Sequence, residues 1–410
     1  MGSIKGIVFL FVLLLAIPSL AQAQEHKFTR DSLIDMDKES RTLDVIDILH
    51  IITNYRFQKH KKDTASDKLH LAILPAAGYA LVTGFVVAVA GTAGFYTDTN
   101  ANEKLSAIDG SINYSEKNQI IIPLLSNIWT KKNKFNLLGD WRFYKFPEYT
   151  YGLGGHTSSE TKTQINYSCI IMHETVLKQV LIPNLYLGLA YNLNYHWNIS
   201  ETLNSPGTKT DFDKYGRTTS SISSGISVNA LYDTRKNSIN PSQAFYSSIS
   251  FCPYLDLFWN KTNYRSLVID TRKYFKLSKT SPNILAFWTY EWFTFNGNAP
   301  YLDLPSTAWD TYSNLGRGYI QSRLRSKNML YLEAEYRFHI LRNGLLGGVV
   351  FANAQSVTDW PSNKFTTVYP AVGAGIRIKV NKHSATNICL DYAFGIGGSN
   401  GIFVNLGEVF

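Results

Sequence analysis

The sequence predicts an all-β protein: a transmembrane antiparallel β-barrel of about sixteen strands with a short helical segment ahead of it. Three observations lead there. The chain opens as exported chains do. No later stretch is apolar for long enough to cross a bilayer as a helix. Segment after segment alternates apolar with polar residues.

The opening reads as a secretory signal. Lys5 supplies a basic start, Ile7 to Ile17 an apolar core, and Ala21-Gln22-Ala23 a small-x-small cleavage site. That core is shorter than the roughly 20 residues a spanning helix needs. The absence of a cysteine just after the cleavage site argues against a lipid anchor there. The expected organisation is therefore a signal peptide over 1–23, a mature chain from Gln24, a periplasmic helix and linker over 24–68, and a barrel over 69–410.

Composition narrows the class. The longest apolar candidate, Leu69 to Phe95, is interrupted by Pro75, Gly78, Gly84, Gly91 and Gly94, which argues against a helical membrane protein. Aromatic residues make up 14% of the chain and 25 of them are tyrosine, which suits the aromatic girdles of a barrel. Cys169, Cys252 and Cys389 are scattered and odd in number, so they form neither a disulfide framework nor a zinc pattern. The formal charge of +9 is spread along the chain without a nucleic-acid-binding motif beside it. Outer-membrane lipid is the expected partner, with attraction to anionic headgroups a milder expectation, and nucleic acid is not. No cofactor or metal is expected: His173-Glu174, for example, lacks the second histidine of a zinc helix.

Within 24–68, Leu43, Val45, Ile46, Ile48, Leu49 and Ile52 fall near helical spacing, with Asp44, Asp47 and His50 between them. This reads as one amphipathic helix lying against or plugging the barrel's periplasmic mouth. A polar linker with Lys59, Lys61, Lys62, Asp63 and Lys68 follows it.

From residue 69 the alternation divides into strands near 69–80, 85–96, 104–115, 119–129, 134–145, 161–173, 184–197 and 218–232. It continues through 243–256, 262–276, 283–295, 329–341, 345–357, 368–380, 386–395 and 401–410. With the N-terminus in the periplasm, the long loops 146–160, 198–217 and 296–328 all follow odd strands and face outward. The short turns near 130–133, 278–282, 342–344 and 381–384 follow even ones, which is the asymmetry expected of such barrels. Inward polar residues alternate with outward apolar ones: Asp140 and Arg142 with Trp141 and Phe143, Arg377 with Ile376 and Ile378, Asp391 with Leu390 and Tyr392.

The clearest stretch is Leu315 to Phe338. Leu330, Leu332, Ala334, Tyr336 and Phe338 share one face of a strand, and Glu333, Glu335 and Arg337 the other. Ahead of it, Gly316-Arg317-Gly318-Tyr319 closes a long polar loop with an arginine between two glycines. This resembles the R-G-Y/F loop of the bacterial surface antigen superfamily, the BamA/TamA-like outer-membrane barrels that include assembly subunits and two-partner secretion pores. Tyr232-Asp233-Thr234-Arg235-Lys236-Asn237 followed by Asn240-Pro241 is similar to the family's Y-D-x-R-x-N…P-x-x-G element, with Ala244 in place of the final glycine. Asp233, Arg235, Asn237 and Pro241 are the residues of that strand-turn motif. Phe351-Ala352-Asn353 stands where the family has F-x-D. Ala371 to Arg377 and Ile402 to Phe410 resemble the closing strands, with Phe410 in the position of an outer-membrane insertion signal and Glu408 unusual there.

The resemblance implies that the loop arginine enters the lumen and meets an inward carboxylate. Here Asn353 replaces the usual aspartate, so Arg317 is expected to bond Glu335, with Asn353 as a neutral second acceptor; restoring aspartate at 353 is expected to hold the loop at least as firmly. Residues 24–68 are too few for even one polypeptide-transport (POTRA) domain, so the expected protein is a family barrel lacking them. Its implied role is assembly, insertion or translocation of other outer-membrane proteins, alone or with periplasmic factors, in a Gram-negative bacterium. The alternative is a structural barrel or passive pore. An enzyme is not expected. Gly397-Gly398-Ser399-Asn400-Gly401 fits G-x-S-x-G, but no helix, aspartate or histidine follows to complete a triad.

Overall fold

The computed structural model describes residues 43–45, 47–48, 70–80, 82–98, 104–202, 209–256, 262–278, 281–382 and 385–410. The signal sequence, the start at Gln24, the linker and most of the expected helix lie outside these residues. Among them run sixteen long strands, each of which matches one of the expected segments. They are β1 (His70–Ala80), β2 (Gly84–Phe95), β3 (Ser106–Ser115), β4 (Ile120–Trp129), β5 (Phe135–Lys145), β6 (Thr163–Gln179), β7 (Leu185–Thr202) and β8 (Ser220–Asp233). The second half comprises β9 (Ala244–Tyr254), β10 (Tyr264–Lys276), β11 (Ile284–Phe295), β12 (Asn328–His339), β13 (Leu346–Val357), β14 (Tyr369–Asn381), β15 (Thr386–Gly395) and β16 (Asn400–Leu406). A three-residue strand, Glu148–Thr150, adds to the far end of β6.

Every long strand pairs antiparallel with the next. The sheet curls, because strands far apart in order meet at their ends. Lys104 Nζ, just before β3, donates to the Asp233 carbonyl at the end of β8 at 2.6 Å. Asn240 Nδ2, between β8 and β9, donates to the Ala385 carbonyl before β15 at 3.1 Å. β1 and β16 come within 8 Å between Cα atoms, yet no backbone ladder joins them among the described residues.

Alternation decides which side each residue faces. Trp141, Phe143, Ile226, Val228, Leu332, Val350, Val372, Tyr392 and Phe394 are exposed on the convex side, while Asp140, Arg142, Glu333, Glu335, Arg337, Arg377 and Asp391 are buried on the concave one. Outward apolar side chains left uncovered in this number call for an apolar solvent.

Register builds the concave surface of β12–β15 row by row. Glu333 aligns with Asn353, Ala371 and Gly395; Glu335 with Phe351, Gly373 and Ala393; Arg337 with Val349, Gly375 and Asp391. The charges stand on β12 and β15, and small residues on β14 leave space between them.

Three elements differ from the sequence expectation. β6 runs on to Gln179, because the tight turn after it is made by Leu181 and Asn184 at φ 54° and 67° without a glycine to announce it. At the other end of the hairpin β7 runs on to Thr202, paired with Gln164. β16 stops at Leu406 rather than reaching 410: Gly407 takes φ 89° and the remaining residues turn inward. Of the expected helix, the described residues 43–45 and 47–48 rest against two turns. Leu43 N–H donates to the Asn343 carbonyl at 3.0 Å, and Lys382 Nζ reaches Asp47 Oδ1 at 2.7 Å.

Facing is testable. Leu332→Arg, in mid-strand on the convex side, should lower folding stability in lipid vesicles by about 2–4 kcal/mol, read by denaturant titration, whereas Leu341→Arg at a turn should cost about 0–1 kcal/mol.

Candidate functional site

The connection between β11 and β12, residues 296–327, leaves the rim and folds across the concave side, where Asn314–Tyr319 and Leu324–Ser326 are buried. Its path needs both glycines. Gly316 and Gly318 take φ 83° and 106°, where side chains are disfavoured, and a Cβ on Gly318 would stand 2.7 Å from that of Ala371. Tyr319 Oη donates to the Pro370 carbonyl at 2.6 Å and accepts from Ile396 N–H at 3.0 Å. Ser399 Oγ, the serine of the G-x-S-x-G stretch, donates to the Gly318 carbonyl at 2.7 Å. That hairpin brackets the loop.

Arg317 lies between the brackets and is 1% exposed. Its guanidinium sits 3.7 Å from the centre of the Phe351 ring. Nη2 donates to Glu333 and Glu335 on β12, and Nη1 to Asp391 on β15. The loop is thus pinned to both sides of the four-strand surface. Glu335, the acceptor expected from the sequence, is one of three, and Glu333 and Asp391 were missed as partners. Both were legible as inward carboxylates, but nothing in their spacing ties either one to residue 317.

Asn353 corrects the expectation of a second acceptor. Its Nδ2 donates to the Arg317 backbone carbonyl at 2.9 Å, so it fastens the loop's main chain and not the guanidinium. An aspartate there has no hydrogen to give and adds charge to an acidic surround.

The same acids extend the network. Glu335 accepts from Arg337 Nε at 2.6 Å, and Asp391 from Arg377. These two arginines hold the inturned residues after β16: Arg377 Nε donates to Glu408 Oε2 at 2.8 Å and Arg337 Nη2 to the Phe410 main-chain oxygen at 2.9 Å. Asn314, at the base of the loop, donates through Nδ2 to the Val409 carbonyl at 2.7 Å. Three guanidinium groups (Arg317, Arg337, Arg377) therefore face four carboxylates (Glu333, Glu335, Asp391, Glu408) in one buried cluster. Phe410 packs inside, its ring 5.2 Å from Trp288 and 6.2 Å from Tyr274.

The strand-turn motif joins this cluster through the tail. Arg235 clamps Asp233 with Nε at 3.0 Å and Nη2 at 3.1 Å, and its guanidinium lies 4.0 Å from the Tyr246 ring centre. Asn237 Oδ1 accepts from Ile239 and Asn240 N–H at 2.8 and 3.2 Å, ahead of buried Pro241. The turn so shaped presents the Ile239 carbonyl to Glu408 N–H at 2.9 Å. The three motif regions are brought together.

At the opposite rim the same loop anchors a cap. Arg325 Nη2 reaches Glu148 Oε1 at 3.0 Å, Ser322 Oγ donates to Glu148 Oε2 at 2.7 Å, and Tyr301 Oη pairs with Thr150 Oγ1 at 2.6 Å. Gly155 N–H donates to Asp359 Oδ1 at 2.9 Å. Burial pushes the Glu148 carboxyl above its usual range, and Arg325 draws it back. Among the described residues no group of His, Cys, Asp and Glu is placed to hold a metal ion. The arrangement is a mechanical clamp of buried charge.

Removing one partner of such a cluster leaves the others uncompensated, at about 3–5 kcal/mol. Arg317→Ala should lose about that much thermal or protease resistance, and Arg317→Lys should recover part of it, because lysine lacks the planar fork. Asn353→Asp should loosen the loop, read as a fall in 317–335 cysteine cross-linking in a background free of the native cysteines.

Residues 177–402, more than half of the chain, match the Omp85 superfamily domain. The fold is similar to BamA from Haemophilus ducreyi, a crystal structure lacking POTRA domains 1–3, at a TM-score of 0.52 and 13% identity, covering 82% of this chain and 70% of that one. It is also similar to CdiB from Acinetobacter baumannii at a TM-score of 0.52 and 10% identity, covering 83% of this chain and 60% of that one. No curated protein sequence matches. The chain belongs to the Omp85 superfamily.

Proposed function

We propose that the protein is an outer-membrane barrel that inserts or exports other outer-membrane components by opening between β1 and β16, with the Arg317 loop holding the wall while it does so. Membership of the superfamily points to the Gram-negative outer membrane. The short turns then face the periplasm and the long loops the outside. The observation that carries the reading is the Arg317 clamp itself: a loop pinned inside the sheet by three carboxylates stiffens β12–β15, while β1 and β16 approach without a ladder. One side of the wall is rigid and the other is loose. Clients would be other outer-membrane proteins, with periplasmic factors as partners.

The second reading, a passive pore, is disfavoured by the obstructed lumen. The 296–327 loop crosses it, Phe410 and its neighbours fill part of it, and the Glu148–Arg325 cap spans the outer rim. An enzymatic role finds no support, since the Ser399 hydroxyl is spent on the Gly318 carbonyl.

Depleting the protein should lower the levels of other outer-membrane proteins, and unchanged levels would count against the assembly reading. The purified barrel should show little steady single-channel conductance. Arg325→Ala, which strands the buried Glu148 carboxylate, should raise that conductance. A large, steady conductance in the native protein would instead support the pore.

A further inference from the structure

The formal charge of +9 looks dispersed in the sequence, but the fold gathers much of it at one end. Exposed Lys131, Lys132, Lys134, Lys178, Lys236, Lys276 and Arg342 all belong to the short turns or the strand ends beside them. Among the described residues the same end presents few carboxylates against them: Asp98, together with Asp44 and Asp47 at Lys382.

Two of these turns are neighbours because β5 pairs with β6. Phe135 aligns with Lys178, and Gln179 N–H donates to the Lys134 carbonyl at 2.8 Å. Between them is an open recess lined by Lys132, Lys134, Gln179, Leu181, Ile182 and Pro183, among others. Leu181 is 95% exposed and Ile182 53% exposed at its edge. Apolar side chains projecting beside a row of ammonium groups match a molecule that carries a phosphate on one part and a hydrocarbon chain on the other.

We infer that this recess holds an anionic phospholipid of the periplasmic leaflet, with its phosphate on the lysines of the β4–β5 turn and an acyl chain along Leu181 and Ile182. The inference rests on the outer-membrane reading above. Two features select the ligand. Among the described residues the lining contains no carboxylate to receive the ammonium of a zwitterionic headgroup, which favours a net negative lipid over a neutral one. The recess also continues the convex apolar surface, where Val176 and Leu187 stand exposed a few residues up the strands, so a lipid reaches it without leaving the bilayer. Lysine at such a boundary keeps its ammonium among headgroups while its stem lies on apolar surface.

The test uses the full chain refolded into vesicles mixing phosphatidylglycerol with phosphatidylcholine, then extracted mildly and weighed by native mass spectrometry. The native protein should retain phosphatidylglycerol in preference. The triple variant Lys131→Gln, Lys132→Gln, Lys134→Gln should lose about tenfold or more of that preference. Leu181→Asn with Ile182→Asn should reduce retention of both lipids. Equal retention of the two lipids by the native protein, or an unchanged preference in the triple variant, overturns the site. So does capture of an acidic peptide without any lipid preference, which would assign the surface to a protein. Protease protection in both vesicle types separates the two layers: a chain that never inserts sinks the membrane reading, and one that inserts without lipid preference sinks only the lipid site.

Discussion

A guanidinium taken out of water must be met by carboxylates, and the Arg317 side chain sets that requirement for the whole second half of the chain. Two glycines bend the loop inward, and Phe351 supplies a ring for the cation to lie on. Ala371 and Gly373 on β14 keep the approach open, and β12 and β15 deliver the acids from either side. A larger residue at 371 would crowd Gly318 of the loop, and a side chain at 373 would run into the Phe351 ring on which the guanidinium lies. The regularity of the sheet is what makes the meeting possible, because antiparallel register fixes the height of each acid.

The network does not end at the loop. Arg337 and Arg377 share its acids and pass the constraint to Glu408, so the residues after β16 are committed to the interior. Backbone groups that would otherwise extend β16 toward β1 are spent instead on Ile239, Asn314 and Arg337. The lack of a backbone ladder between β1 and β16 among the described residues and the tight interior clamp are therefore two results of one arrangement. In the proposed activity that coupling is the physical basis: the wall would yield at one place because it is fastened at another.

Much of this was legible in the sequence. Sixteen strands and the parity of their connections follow from period-two alternation, and the inserted arginine follows from its glycines and its resemblance to the family loop. The partners were less legible for a specific reason. Glu333, Glu335 and Asp391 are all inward acids, and only tertiary placement decides that Arg317 meets all three. Asn353 looked like a weak aspartate, yet its amide nitrogen is the useful atom. Phe410 read as the end of a strand, because nothing before Gly407 announces that the chain turns in. The basic rim was invisible for a topological reason: Lys134 and Lys178 are far apart in sequence, and only β5–β6 pairing brings their turns together.

Arg317 and Glu408 are coupled through shared partners although no bond joins them directly. A double-mutant cycle with Arg317→Lys and Glu408→Gln, read by denaturant unfolding of the full chain in vesicles, measures that coupling. The clamp described above predicts an interaction energy of about 0.5–3 kcal/mol. Additivity within about 0.3–0.5 kcal/mol would mean that the loop and the inturned tail are held independently and that no single clamp joins them.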